Sequence, residues 1–239
     1  MKPNSKIAVI GAMDCEIEKI KELLSDVAEC DFGGFTIWIG KINNHEIFVS
    51  KSGVGKVNSA INTQFLIDKF HPDYVINTGV AGGIDSNLEV GDIVIAEKLV
   101  QHDFDATALG YPKGYICNGV MSDSPTYFYS DFNLVELFEK TISTMDLKTK
   151  THRGIIATGD YFIASAEKKQ ELKNLFNATA GEMEGAAIAQ TCAKNNTPFV
   201  VMRAISDLAD CSAPKSLEEV ETTMAEFAAE TLKKLLMTL

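Results

Sequence analysis

What most constrains this chain is where its uninterrupted apolar runs fall. "YVIN" (Tyr74 to Asn77) and "FVVM" (Phe199 to Met202) show no polar alternation, so a strand made from either must be covered on both faces. Further strand-like runs span Lys6 to Ile10, Phe35 to Gly40, His45 to Ser50, Gly91 to Asp105 and Arg153 to Asp160. Helical spacing covers Glu16 to Leu24, Val57 to Phe70, Asn133 to Met145, Ala166 to Phe176, Glu184 to Asn195 and Ser216 to Leu239. Strands alternating with helices define the α/β class, with helices on both faces of a sheet. No repeat, low-complexity tract or Pro/Gly/Ser-rich linker divides the 239 residues, so residues 1–239 are expected to form a single domain.

Such sheets bind ligands at the carboxyl ends of their strands, so the chemistry is sought in the loops there. The first is "IGAMDCEIE" (Ile10 to Glu18), a strand, a tight turn and a helix start. Free N–H groups and the positive end of the helix dipole make such a turn an anion cradle, yet the chain places its own acids there, Asp14 and Glu16. "SGVGKVN" (Ser52 to Asn58) suggests a second anion loop. The phosphate-loop spacing is not met, because Val57 replaces the hydroxyl and no glycine lies five residues before Gly55, and the dinucleotide fingerprint lacks its third glycine at Asn58. This segment is expected to be a structural turn.

"TGVAGG" (Thr78 to Gly83) lets backbone approach a ligand closely, and "TGDYFI" (Thr158 to Ile163) follows another strand. "GEMEGAAIA" (Gly181 to Ala189) reads as a short strand running into an Ala-rich helix, with Glu184 at its start. "VVMRAISD" ends a central strand with Arg203, Ser206 and Asp207. A charge so close to a buried strand end requires a partner, either an ion pair with an acid such as Glu184 or Glu16, or a ligand. Glu16, Glu184 and Asp207 on one rim, with Arg203 among them, are the parts of glycosyl-bond hydrolysis: an acid for the leaving group and a carboxylate for water.

Composition narrows the partners. The formal net charge is −11 with the acids spread along the chain, which disfavours nucleic acid. The N-terminal "MKPNSKIAVIGAMDCE" has no signal-peptide core and no apolar run reaches membrane length, so a cytoplasmic protein without a membrane partner is expected. The five cysteines are scattered and the four histidines lack ligand spacing; neither disulfides nor a metal are indicated, and no cofactor is called for.

The segments "IGAMDCEIE", "SGVGKVNSA", "NTGVAGG", "VGDIVIAE", "TGDYFI", "EMEGAAIA" and "PFVVMRAISDLAD", in this order, closely resemble the bacterial 5'-methylthioadenosine/S-adenosylhomocysteine nucleosidases of the purine nucleoside phosphorylase-like superfamily. The resemblance implies a three-layer α/β/α sandwich with a central mixed β-sheet, a homodimer, and a small-molecule nucleoside substrate whose N-glycosidic bond is cleaved. It implies that Asp207 protonates adenine at N7, that Glu16 binds the attacking water, and that Glu184, beside Met183, grips the ribose hydroxyls. It also implies supporting roles for Arg203 and Ser206, an adenine shelf from Phe162 and the backbone of Ile163, and Met13 against the ribose. A carboxylate at Glu16 would repel phosphate and act on water, so hydrolysis is expected rather than phosphorolysis. Val80 stands where many relatives carry serine, and Leu109 and Leu217 where they often carry aromatics, which leaves the 5' substituent open. The competing readings are a phosphorylase, which needs cationic phosphate ligands, and a silent nucleoside binder on the same fold.

Overall fold

The computed structural model describes residues 2–117, 122–145, 149–209 and 226–237. Its strands are β1 (Lys6–Gly11), β2 (Ser25–Phe32), β3 (Phe35–Ile42), β4 (His45–Lys51), β5 (Tyr74–Asn77), β6 (Val80–Gly83), β7 (Ile93–Gln101), β8 (Tyr127–Tyr129), β9 (Thr151–Thr158), β10 (Ala180–Glu182) and β11 (Phe199–Asp207). Its helices are α1 (Asp14–Lys21), α2 (Lys56–Phe70), α3 (Phe132–Ser143), α4 (Ala166–Phe176), α5 (Gly185–Asn195) and α6, over residues 226–237. The start of the last expected helix, from Ser216, and Leu217 with it, lie outside the described residues.

Helix boundaries follow local chemistry. The Asp131 carboxylate accepts from the Leu134 N–H at 3.0 Å and starts α3, and the Ser165 hydroxyl accepts from the Lys168 N–H at 3.2 Å and starts α4. β1 shows why the sandwich has three layers. Ile7 and Val9 pack with α1, α3 and α6, while Ala8 and Ile10 pack with α2 and α5. A smaller cluster joins Val100 and Ala157 to Leu172 and Phe176 of α4.

The strands form one mixed sheet of order β2-β3-β4-β1-β5-β11-β6-β10-β9-β7-β8. β11 is its hub. Phe199 to Val201 pair in parallel with β5, Met202 to Ala204 pair antiparallel with β7, and Ala204 to Asp207 pair in parallel with β6. The β11–β7 ladder closes β11, β6, β10, β9 and β7 into a ring, a feature absent from a flat sandwich. All nine residues of β11 are buried, as the "FVVM" run requires.

His102, just beyond β7, is fully buried and neither ring nitrogen has a hydrogen-bond partner among the described residues. Burial depresses its pKa from 6.5 to about 4, against the pull of Asp103. As pH falls, the unfolded chain therefore takes up this proton before the folded one does. Stability due to the neutral ring is complete above 6.5 and is lost progressively down to about 4. Urea midpoints measured at pH 7.5 and pH 5 should show a loss with a contribution of about 2 kcal/mol from this ring. His102→Phe, which cannot titrate, should show that much less pH dependence.

Candidate active site

The loops after β1, β4, β5, β9 and β10 and the end of β11 converge on one cavity. Met13, Glu16, Val80, Phe162, Ile163, Met183, Glu184, Ser206 and Asp207 all line it. Arg203 is absent from the lining and stands behind it.

The turn after β1 closes on its own acid. The Glu16 side chain folds back so that Oε2 accepts from the N–H groups of Ala12 (2.6 Å) and Met13 (3.1 Å), while Oε1 accepts from the Val80 N–H (3.1 Å). The cradle expected to hold two acids holds one. Asp14 turns outward and pairs with Lys51 at 2.9 Å on the surface. Burial raises the pKa of Glu16, opposed by Arg203 and by the three N–H donors. Val80 contributes through its backbone N–H, so the side chain that replaces serine takes no part in holding Glu16.

Glu184 stands at the residue before α5 and is buried; its Oε1 accepts from the Gly55 N–H at 2.8 Å. The adjacent N–H, of Lys56, is taken by Asp160 Oδ1 at 2.8 Å. The "SGVGKVN" turn thus directs its donors to carboxylates of the chain itself. Burial, reinforced by neighbouring Glu182, drives the Glu184 pKa upward. At the end of β11, Asp207 accepts from the Ser206 hydroxyl on Oδ2 and from the Ala209 N–H on Oδ1, both at 2.8 Å. Glycines in β6 permit this approach, since a Cβ on Gly82 would come within 3.0 Å of Asp207 Oδ1.

The partner of Arg203 is neither Glu184 nor Glu16 but Glu182, at 2.5 Å. Its Nη2 also donates to Asn77 Oδ1 at 2.6 Å, and Nη1 to the Met202 carbonyl at 3.1 Å. Burial works against the guanidinium charge, and Glu182, Glu16 and Glu184 outweigh it, so its pKa is raised. Glu182 accepts in addition from the N–H groups of Glu184 (3.1 Å) and Gly185 (2.7 Å) and from the Thr158 hydroxyl. Sequence reasoning missed Glu182. The available signal was the first acid of "GEMEG", whose place at the end of β10 sets it beside Arg203.

The site therefore offers a carboxylate seated on backbone donors, a second carboxylate driven toward its protonated form, and an acid at a strand end, around a cavity with an aromatic wall. Among its described residues the cation, Arg203, is already paired. This arrangement is suited to breaking a glycosidic bond with water. The chain belongs to the phosphorylase superfamily, whose family model matches residues 6–239.

Within that superfamily its relatives are 5'-methylthioadenosine/S-adenosylhomocysteine nucleosidases. The Staphylococcus aureus protein of that name is 41% identical over 230 residues, which are 96% of this chain and 98% of the relative. The structure of the Neisseria meningitidis nucleosidase in complex with methylthio-immucillin-A superposes with a TM-score of 0.92 at 39% identity, covering 98% of this chain and 100% of that one. A Helicobacter pylori structure described as a futalosine hydrolase superposes with a TM-score of 0.91 at 36% identity, covering 98% of each chain.

A Cβ on Gly79 would overlap the Glu16 carboxylate, and the backbone there has a positive φ that L side chains rarely adopt. Gly79→Ala should fold with a lowered melting temperature, because an L residue is strained at this φ even after the Glu16 carboxylate swings away. Its kcat/KM should fall by roughly 100-fold or more as Glu16 leaves its cradle. Full activity would show that the seat of Glu16 is irrelevant to turnover.

Proposed function

We propose that this protein hydrolyses the N-glycosidic bond of 5'-thio-substituted adenosines, 5'-methylthioadenosine and S-adenosylhomocysteine first among them, to adenine and the free sugar. The observation that carries this reading is the Glu16 carboxylate seated on three backbone N–H groups. A phosphorylase needs that region open and cationic for phosphate. Here it is filled and anionic, so phosphate is repelled and water is the acceptor.

The residues divide the work along the bond. Adenine leaves badly as an anion, so Asp207 delivers a proton to N7 and the base departs neutral, with Ser206 fixing the carboxyl through its hydroxyl. Positive charge develops on the ribosyl group as the C1'–N9 bond lengthens, and the neighbouring Glu16 carboxylate stabilises it. Glu16 orients the water and accepts its proton as oxygen bonds to C1'. Glu184 holds the ribose hydroxyls. Phe162, 44% exposed at the mouth, offers a face for the base, Ile163 bonds it through its backbone, and Met13 and Met183 flank the sugar. Arg203 acts from behind by holding Glu182. The chemistry requires no cofactor beyond water.

Leu109, 77% exposed, is aliphatic where relatives often carry an aromatic, and the likeness to a futalosine hydrolase extends the candidates to aminodeoxyfutalosine and 5'-deoxyadenosine. We further propose a cytoplasmic homodimer. No helix among the described residues is long and apolar enough to cross a membrane. Val57 and Ile61, 67% and 55% exposed, form one apolar face of α2, which a second copy would cover.

Purified protein should release adenine from methylthioadenosine at a rate indifferent to phosphate, with methylthioribose as the other product. Sugar 1-phosphate formed only with phosphate would make it a phosphorylase. Asp207→Asn should lose at least about 1,000-fold in kcat while still binding substrate; a silent binder would have no turnover to lose. Sedimentation should report a dimer that Val57→Glu with Ile61→Glu dissociates, whereas a monomeric parent would end the dimer reading.

A further inference from the structure

Tyr161 and Phe162, at the mouth of the cavity, are 50% and 44% exposed, so burial does not hold their loop in place. Something else must. At its far end Ile163 is buried. At its near end the Gly159 N–H donates to the Glu182 carbonyl at 3.1 Å, and the ring of His102 lies where a Gly159 side chain would be.

Between those ends the polar groups of Asp160 are engaged on both sides. The Asp160 N–H donates to Asp103 Oδ2 at 2.9 Å, and its Oδ1 accepts from the Lys56 N–H at 2.8 Å. Lys56 then closes the circuit, because its ammonium donates to Asp103 Oδ1 at 2.6 Å and to Gln101 Oε1 at 3.1 Å. Three loops, following β4, β7 and β9, are tied through three side chains. The Lys56 and Asp103 side chains are only 17% and 27% exposed, so water screens their ion pair weakly.

The same turn also carries the sugar end of the site. Gly55 N–H holds Glu184, and the next N–H along the chain, that of Lys56, holds Asp160. The proposed ribose carboxylate and the proposed base loop thus hang from consecutive peptide groups at the start of α2. We propose that Lys56, Asp103 and Asp160 form a clasp that sets the base-binding loop at residues 160–163 against Glu184, and that this clasp determines affinity for the purine rather than the rate of bond cleavage. They are positioning residues, since none of the three lines the cavity. The inference rests on the nucleosidase reading above.

The test uses the full chain and two ligands, adenine for affinity and methylthioadenosine for turnover. Asp103→Asn is nearly isosteric but has one acceptor oxygen where the clasp uses two, so it must release either Lys56 or the Asp160 N–H. Lys56→Met removes the ammonium and leaves the backbone N–H. Each should weaken adenine binding by roughly tenfold and raise KM by a similar factor, with kcat within about threefold of the parent. The double variant should be little worse than either single one, because both cut the same circuit. Lys56→Arg should restore part of the affinity.

A fall in melting temperature with unchanged adenine affinity in Asp103→Asn would overturn the clasp and leave a structural ion pair, as would fully multiplicative losses in the double variant. If Lys56→Met fails to fold, Asp103→Asn and Lys56→Arg decide the matter alone. A parent protein that neither binds adenine nor cleaves methylthioadenosine would bring down the nucleosidase reading and the clasp together, an outcome distinct from a working parent with indifferent variants.

Discussion

The guanidinium of Arg203 is the constraint around which the site is built. It is 1% exposed, in the middle of a sheet, where an unpaired charge would cost several kcal/mol. Glu182 supplies the opposite charge and Asn77 a further acceptor, so β5, β10 and β11 are bound to one another by polar contacts as well as by their ladders. Glu182 in turn takes two N–H groups at the start of α5, which fixes where that helix begins and hence where Glu184 stands. Positive charge on Arg203 also tempers the crowding of Glu16 and Glu184, which burial alone would leave harder to ionise. One buried cation therefore sets the geometry and the protonation balance of groups that never touch it.

The second organising idea is substitution of protein carboxylates for ligand anions. Two turns of this chain have the glycine and helix-start character that elsewhere receives phosphate. In each, the donors are consumed internally, by Glu16 in the turn after β1 and by Glu184 and Asp160 in the turn after β4. The scaffold keeps its anion seats and changes their occupant.

Much of this was legible in the sequence because apolar runs and helical periodicity survive wherever a segment is buried on a defined face. The central strands, α2 to α5 and the convergence of acidic loops follow from that pattern. The misses have physical causes. β2 (Ser25–Phe32) is an exposed edge strand with little apolar alternation, β8 is three residues long, and β6 reads as a turn because its glycines, needed for close approach to Asp207, erase the strand signal. The partner of Arg203 was misplaced because Glu182 and Glu184 lie two residues apart, and only the short strand β10 followed by the helix start separates their roles. Asp14 and Glu16 are likewise neighbours in sequence, yet the helix turns one outward and folds the other back over the turn.

The position of β11 in the chain has a consequence for how the protein is made. β1, β4 and β5 can pair as soon as they leave the ribosome, but in the hydrogen-bonded order β6, β10, β9 and β7 join them only through β11. That strand begins at Phe199, after every other strand has been synthesised. Arg203, Ser206 and Asp207 arrive with it. Until it is made, the two parts of the sheet share no ladder. A nascent chain that stalls before this strand therefore lacks both the joining ladders and three of the residues gathered around the cavity.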